Sequence, residues 1–209
     1  NLNGSGDTGG TVATRWWAND YWNIAGSIES QSNAVPLQAR QANVSGNRAA
    51  VEVVHRVHES RVFDVTFGVM DFSDSNRRQT LSGSWNERWV SGPRLKLSTT
   101  LGAYTSRNSL TGTAYFNPGD DASLSGATTL EWLTWREYTR SLTQRFTALA
   151  GTYSQQGFSS GPIWSGEYEH VLKWNERIDM RYGLSRTVHP YDGRQAGRNA
   201  LNLGLNWRF

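Results

Sequence analysis

The chain has 209 residues, of which 37% are hydrophobic and 19% are charged, and it contains no cysteine. The lack of cysteine excludes a disulfide framework and thiolate metal sites. The formal net charge is +3, but the basic residues are scattered singly and not gathered on one segment, so the sequence predicts no nucleic-acid partner. No stretch approaches the roughly 18 apolar residues of a membrane helix. Ten tryptophans and 21 glycines, without long runs of helix-forming residues, favour an all-β chain.

Segments of alternating apolar and polar residues follow one another along the chain. Such alternation places all apolar side chains on one face of a strand. The clearest case is the last segment, where Leu201, Leu203 and Leu205 alternate with polar residues and glycine. About eleven strands are predicted, at residues 11–18, 21–32, 48–58, 61–71, 78–90, 94–106, 123–138, 141–155, 163–174, 177–187 and 198–209. Alternating segments of about ten residues separated by turns are typical of an antiparallel transmembrane β-barrel.

The predicted connections are alternately short and long. The long ones are residues 33–47, 72–77, 107–122, 156–162 and 188–197. Outer-membrane barrels have short periplasmic turns and longer extracellular loops. The last strand is therefore expected to run inward and to end with Phe209 at the periplasmic rim. Because eleven is an odd number, we expect the 1–209 barrel domain to be incomplete at its N-terminus, with Asn1–Gly10 in an extracellular loop.

Aromatic residues concentrate near the short turns. They are Trp16, Trp17, Trp22, Trp89, Trp132, Trp135, Tyr138, Trp174, Trp207 and Phe209. Aromatic girdles of this kind mark a membrane interface. A soluble β-sandwich also has alternating strands, but it gives no reason for tryptophan at alternate strand ends. The pattern favours the bacterial outer membrane, with lipid as a partner of the apolar face.

The opposite strand face is polar and is predicted to line the lumen. Its acidic candidates are Glu52, Asp64, Glu131, Glu167, Glu169 and Asp179, and Tyr104 and Tyr153 share the same parity. One interpretation is a ladder of opposite charges that braces the wall. The other is a pore whose local field selects its cargo.

Catalytic and metal-binding signatures are missing from the sequence. There is no G-x-S-x-G, P-loop or H-E-x-x-H motif, so no catalytic residue, cofactor or metal ligand is predicted and the chain is not expected to be an enzyme. The segment Gly4–Gly9 matches G-x-G-x-x-G, but no strand precedes it and no helix follows, which indicates a loop. His189 with Asp192 leaves an outer-membrane hydrolase of the omptin kind as an alternative. A small-solute porin is a further alternative function.

Several motifs, in order, resemble the C-terminal barrel of the poly-β-1,6-N-acetyl-D-glucosamine export porin family (PgaA). They are Asp71-Phe72-Ser73-Asp74-Ser75-Asn76-Arg77-Arg78, Ala114-Tyr115-Phe116-Asn117-Pro118, Asp121-Ala122-Ser123-Leu124-Ser125, Trp135-Arg136-Glu137-Tyr138, Gly151-Thr152-Tyr153-Ser154-Gln155, Pro190-Tyr191-Asp192-Gly193 and Trp207-Arg208-Phe209. The resemblance covers residues 61–209, whereas residues 1–60 match only in strand pattern.

The resemblance implies a sixteen-stranded barrel that secretes a partly de-N-acetylated amino-sugar exopolysaccharide for biofilm formation. It also implies a periplasmic helical-repeat (TPR) domain that meets a deacetylase; no segment of this sequence corresponds to that domain. The polymer would be cationic, so we expect Glu167, Glu169 and Asp179 to form one attracting patch and Tyr104 and Tyr153 to stack on sugar rings. The loop 107–122, with Tyr115, Phe116, Asn117 and Pro118, is expected to fold over the extracellular mouth and gate it.

Overall fold

The computed structural model describes residues 8–208, which form eleven β-strands and one short helix. The strands are β1 (Gly10–Trp17), β2 (Trp22–Ser30), β3 (Gly46–His58), β4 (Arg61–Phe72), β5 (Arg77–Ser91), β6 (Leu95–Asn108), β7 (Asp120–Glu137), β8 (Arg140–Gln155), β9 (Gly161–Lys173), β10 (Ile178–Tyr191) and β11 (Arg194–Trp207), and the helix is α1 (Leu37–Gln41). The strands are ordered β1 to β11 in one sheet, as in a barrel of sequential hairpins. Within residues 8–208, no helix is long and apolar enough to cross a membrane.

The predicted set of eleven strands is confirmed, but one predicted loop is wrong. Residues 188–197 do not form a long connection, because β10 continues to Tyr191 and β11 begins at Arg194. Asp192 and Gly193 alone make the turn, with φ angles of 49° and 73°. Two successive residues with positive φ are what a two-residue type I′ hairpin requires, and Asp-Gly is a favoured pair for it. The regular alternation of short and long connections therefore fails at this hairpin.

Two of the long connections also differ from the prediction. The connection at 33–47 contains α1, which follows Pro36. Asp120 and Asp121, expected in a loop, are the first two residues of β7. Phe209 and most of Asn1–Gly10, including Gly4–Gly6 of the G-x-G-x-x-G segment, lie outside the described residues.

The sheet has one apolar and one polar face, as the alternation predicts. In the β10–β11 pair, Leu203 lies opposite Tyr182 and Leu201 opposite Leu184. Leu203 is 81% exposed, so this face is not the interior of a two-sheet sandwich. The tryptophans near the short turns are exposed as well: Trp16, Trp17, Trp22, Trp89, Trp132, Trp135, Trp174 and Trp207. Their exposure fits the predicted aromatic girdle.

The chain divides into two compact units. The first contains the residues up to Trp85, with Gly102–Ser123 and Ser154–Ser159. The second contains Asn86–Leu101, Leu124–Tyr153 and the residues from Ser160 onward. The polar contacts discussed below lie within one or the other unit.

Candidate functional site in the polar face and the long loops

The polar face of the first unit is held by cross-strand contacts. Arg15 on β1 forms an ion pair with Glu52 on β3, with 3.1 Å between Nη2 and Oε2. The residue between them is Ala25, which pairs with both in register, so a small side chain on β2 lets the ion pair span two strands. Asp64 accepts a hydrogen bond from the Ser84 hydroxyl. Glu52 and Asp64 thus both lie on the predicted face, and each has a local partner.

Tyr104 is part of a second polar group in the first unit. Its hydroxyl accepts a hydrogen bond from Nη2 of Arg78 at 2.8 Å. The same guanidinium donates to the Ser106 hydroxyl, which in turn donates to a carboxylate oxygen of Asp121. Tyr104 is therefore oriented by a charged partner, and Arg78 is a polar-face residue that the sequence analysis did not single out.

In the second unit, Arg145 on β8 bridges two of the predicted acids. Its Nη2 lies 2.6 Å from Oε1 of Glu131 on β7, and its Nη1 lies 3.4 Å from Oε2 of Glu169 on β9. The register places Arg145 directly opposite Glu169. Both acids are thus at least partly neutralised by one guanidinium.

Glu167, Glu169 and Asp179 do not form the single patch that the sequence predicted. In the β9–β10 pair, Asp179 lies opposite Lys173 and not opposite either glutamate. Lys173 is four residues from Glu169 on β9, a separation of about 13 Å at the rise of a β-strand. Asp179 also accepts a hydrogen bond from Asn206 at 2.9 Å and lies 3.8 Å from the Arg208 guanidinium. The register of two strands, which alternation alone does not fix, separates the acids.

Tyr153 lies on the polar face but is almost covered. It is 4% exposed, and its ring centroid lies 4.4 Å from that of His189. The His189 ring centroid also lies 4.8 Å from that of Tyr191, and its Nδ1 lies 2.7 Å from the Pro190 carbonyl oxygen. Of these three rings, that of Tyr191 is exposed. Sugar stacking at this position would therefore use Tyr191 before Tyr153.

Three connections of the first unit pack together in what we call the loop cluster. Its apolar centre consists of Val35, Ala39, Met70, Phe72 and Tyr115. Val35 comes from the connection before α1, Ala39 from α1 itself, and Tyr115 from the connection 109–119. The Tyr115 ring lies 5.6 Å from that of Phe72. Tyr115 is thus packed against protein and does not project into solvent.

Asn76 joins these connections through its side chain, which is 1% exposed. Its Nδ2, which has two N–H groups, lies 3.1–3.2 Å from three acceptors: Oδ1 of Asn108, the Tyr115 hydroxyl and Oδ1 of Asn117. Its Oδ1 accepts from the Ser109 hydroxyl and the Leu110 amide. A buried amide with this many partners fixes one arrangement of the surrounding loops, because losing a partner leaves a polar group unpaired.

The other predicted gating residues also have defined positions. The amide of Phe116 donates to Oε1 of Gln38 on α1. Asn117 donates to the Leu110 carbonyl at 2.6 Å, and the buried Pro118 presents its carbonyl to Asn108 at 2.7 Å. The connection 109–119 is thus tied to α1 and to β6.

Burial raises the pKa of the Tyr115 hydroxyl above its usual value. The hydrogen bond from Asn76 opposes this shift, whereas the neighbouring carboxylate of Asp74, 3.0 Å from the hydroxyl, adds to it. Tyr115 therefore remains protonated in the loop cluster at and above neutral pH, and its hydroxyl donates to Asp74.

The two residues of the hydrolase alternative, His189 and Asp192, lie in the β10–β11 hairpin. The His189 ring contacts the rings of Tyr153 and Tyr191, and Asp192 forms the β10–β11 turn with Gly193. In residues 8–208, no three His, Asp or Glu side chains are grouped so that they could hold a metal ion.

Comparison with known proteins agrees with the all-β membrane-barrel architecture of this sheet. The family model of the PgaA membrane β-barrel domain matches residues 1–209. The chain belongs to this family. As a member of the PgaA membrane β-barrel family it lies in the bacterial outer membrane.

Two curated relatives and one solved structure are similar to this PgaA-family barrel. It is 31% identical over 191 residues to the poly-β-1,6-N-acetyl-D-glucosamine export proteins of Escherichia coli K12 and Escherichia coli O157:H7. The match covers 91% of this chain but only 24% of each relative. A structure described as a bacterial polysaccharide outer membrane secretin superposes with a TM-score of 0.90 at 30% identity, over 96% of this chain and 69% of that one.

The two quoted sequence motifs that contain asparagine meet in the PgaA barrel fold. Asn76 belongs to the motif 71–78, and Tyr115 and Asn117 belong to the motif 114–118. Sequence analysis identified both motifs but not their contact. The only sequence signal for it is their chemistry, since short motifs with Asn and Tyr in long connections supply matched hydrogen-bond donors and acceptors.

Proposed function

We propose that the protein to which this barrel belongs exports poly-β-1,6-N-acetyl-D-glucosamine, partly de-N-acetylated, across the bacterial outer membrane for biofilm formation. The observation that carries this proposal is the 31% identity, over 91% of the chain, to relatives named as export proteins for this polymer. The polar face supports it, since it offers both acids and hydrogen-bond donors along the path of a polymer that bears amines, acetamides and hydroxyls.

The chain acts as a passive conduit and has no catalytic role of its own. Weak binding at many sites suits this role, because cargo held tightly at one site would not move on. The acids of the polar face are proposed to attract the protonated amines; they are Glu52, Asp64, Glu131, Glu167, Glu169 and Asp179. Tyr104, Tyr153 and Tyr191, nearer the long loops, are proposed to offer rings that stack on the sugars. The loop cluster is proposed to gate the extracellular mouth.

A periplasmic deacetylase is the proposed protein partner, held by the helical-repeat domain that the family resemblance implies for the full-length protein. It would supply the de-N-acetylated polymer directly to the barrel. Co-purification of the deacetylase with the full-length protein, and its loss when the repeat domain is removed, tests this partnership. Equal recovery from both forms would contradict it.

Deletion of the gene tests the export function. We expect the deletion strain to synthesise polymer but retain it inside the cell, and the full-length gene to restore surface polymer. Surface and cell-retained polymer are quantified separately, so that loss of synthesis is distinguished from loss of export. Normal surface polymer in the deletion strain would contradict the proposal. Impaired uptake of small solutes, with normal polymer, would indicate a general porin instead.

A further inference from the structure

A concave site of about 290 Å³ lies on the polar face of the second unit, beside the turn that joins β5 to β6. Each of three neighbouring strands contributes two residues to it: Asn86, Arg88, Lys96, Ser98, Thr129 and Glu131. On each strand the two residues are two positions apart, so they point to the same side. Ligand sites usually measure about 300–1,000 Å³, and this one is at the small end, which suits one sugar unit.

Arg88 and Lys96 make this site positively charged. Both are exposed, and among residues 8–208 neither forms an ion pair. The carboxylate in the site, Glu131, is already paired with Arg145 through its Oε1 atom. The acids elsewhere on the polar face suit an ammonium group, but this site disfavours one.

The neutral residues of the site are fixed by hydrogen bonds across the strands. Asn86 donates from Nδ2 to the Thr100 hydroxyl at 2.8 Å, and the hydroxyls of Thr129 and Thr147 lie 3.1 Å apart. The side chains of Arg88 and Lys96 are hydrogen-bond donors only. Arg88 and Lys96 therefore offer donors, beside a wall of hydrogen-bonded neutral residues, to a ligand that carries acceptors, such as a carbonyl oxygen.

We propose that this site binds an N-acetylated hexosamine unit of the exported polymer. The acetamide carbonyl accepts hydrogen bonds from Lys96 and Arg88, and Oε2 of Glu131 accepts one from a sugar hydroxyl. The inference rests on the proposed export function and adds to it a distinction between the two kinds of unit. Units with a free amine are drawn to the acids, and acetylated units occupy the donor site.

Binding of two matched oligosaccharides tests this assignment. The probes are a β-1,6-linked N-acetylglucosamine oligomer and its fully de-N-acetylated form, titrated calorimetrically into the detergent-solubilised full-length protein. We expect Lys96→Gln to weaken binding of the acetylated oligomer about tenfold, as loss of a hydrogen bond from a charged donor does. We expect Lys96→Glu to strengthen binding of the de-N-acetylated oligomer, an effect that a purely structural role of Lys96 would not produce.

The chain supplies a matched control, because its two lysines both lie on the polar face. Lys173 is outside the site, so Lys173→Gln should leave the affinity for the acetylated oligomer within about twofold of the wild-type value. Heat-modifiable electrophoretic mobility shows whether each barrel is folded. If the Lys96→Gln protein is not folded, Arg88→Gln provides the same binding test.

Two results would overturn the inference: wild-type affinity of the folded glutamine variants for the acetylated oligomer, or equal loss of both oligomers. Neither result would contradict the export function, which is tested by polymer secretion in the deletion strain. Conversely, normal secretion in that strain would remove the export function, whatever the oligomers bind.

Discussion

Arg145 donates from Nη2 to Oε1 of Glu131 across 2.6 Å, and this contact joins β8 to β7 on the polar face. The same guanidinium extends to Glu169 on β9, so one cation links three successive strands. Of the two interpretations that the sequence left open, bracing of the wall accounts for these two acids. The Arg145 side chain is 39% exposed, however, and solvent screens such pairs, so each contributes at most about 1 kcal/mol to stability.

Replacement of Arg145 by methionine should therefore destabilise the barrel only slightly. We expect a loss of about 1 kcal/mol in the free energy of unfolding, because two screened pairs are removed while the aliphatic part of the side chain is kept. Tryptophan fluorescence in a urea titration of the full-length protein measures it. Arg181→Met is the matched control, since Arg181 shares the polar face and forms no ion pair among the described residues. Equal effects of the two substitutions would show that the bridge has no specific role.

Asn76→Ala should loosen the loop cluster without unfolding the strands. The substitution removes the hydrogen bonds that the Asn76 amide donates and accepts and leaves buried polar groups unpaired, at a cost of about 1–3 kcal/mol. We expect faster backbone hydrogen exchange in the connection 109–119 and around α1. Asn202→Ala, on an exposed position of β11, should leave exchange in these segments unchanged. Wild-type protection in the Asn76 variant would show that the apolar centre alone holds the loops.

The same variant tests whether the loop cluster gates the mouth. If the connection 109–119 obstructs the lumen, loosening it should raise the single-channel conductance of the protein in a planar bilayer. The Asn202→Ala barrel is again the reference. Faster exchange with an unchanged conductance would contradict the gating role, because the loop would then move without affecting the path.

The strands were predictable because alternation is a local property of the sequence. Leu201, Leu203 and Leu205 identify the apolar face of β11 without any knowledge of its neighbours. The β10–β11 hairpin was mispredicted because residues on either side of Asp192-Gly193 lack this alternation, although Asp-Gly is itself a strong turn signal. Strands that pass beyond the bilayer need no apolar face, so hydrophobic periodicity does not mark their ends.

The candidate site was predictable only one residue at a time. Alternation placed Glu131 and Glu169 on one face, but their contact with Arg145 depends on the register of three strands, as does the separation of Asp179 from the glutamates. The contacts of the loop cluster could not be predicted from the sequence, since Asn76 and Tyr115 are 39 residues apart and their pairing follows from the folded sheet.

Tyr115 should make the loop cluster sensitive to alkaline pH. Because its pKa is raised in the folded state, the hydroxyl stays protonated there while an unfolded chain begins to ionise near the usual value of 10.0. The stabilisation is complete below that pH and is lost as pH rises through the folded-state pKa. We expect the melting temperature of the wild-type protein to fall more steeply above about pH 10 than that of Tyr115→Phe. Parallel curves for the two proteins would show that another group controls the alkaline loss.

Glu167 differs from the other acids of the second unit in its neighbours. It lies opposite Thr147 on β8 and Ser185 on β10, so hydroxyl groups flank it on both sides and no cation does. Glu169, by contrast, faces Arg145, and Asp179 faces Lys173. An exposed carboxylate without a cationic neighbour exerts the strongest attraction on a passing ammonium group. Glu167 is therefore the acid that we expect to contribute most to transport of a partly de-N-acetylated polymer.

Glu167→Gln should slow polymer secretion more than Glu169→Gln or Asp179→Asn does. The effect should still be modest, because a charge pair at contact in water is worth about 1 kcal/mol, or roughly fivefold in an equilibrium. Glu167→Lys should slow secretion further, since it replaces attraction by repulsion. Replacement of Glu167, Glu169 and Asp179 together by lysine should slow it most. Secretion is measured as the rate of polymer release, at equal amounts of folded barrel in the outer membrane. If Glu169→Gln slows release and Glu167→Gln does not, the pairing with Arg145 tunes transport, and exposure of an unpaired acid is not what attracts the polymer.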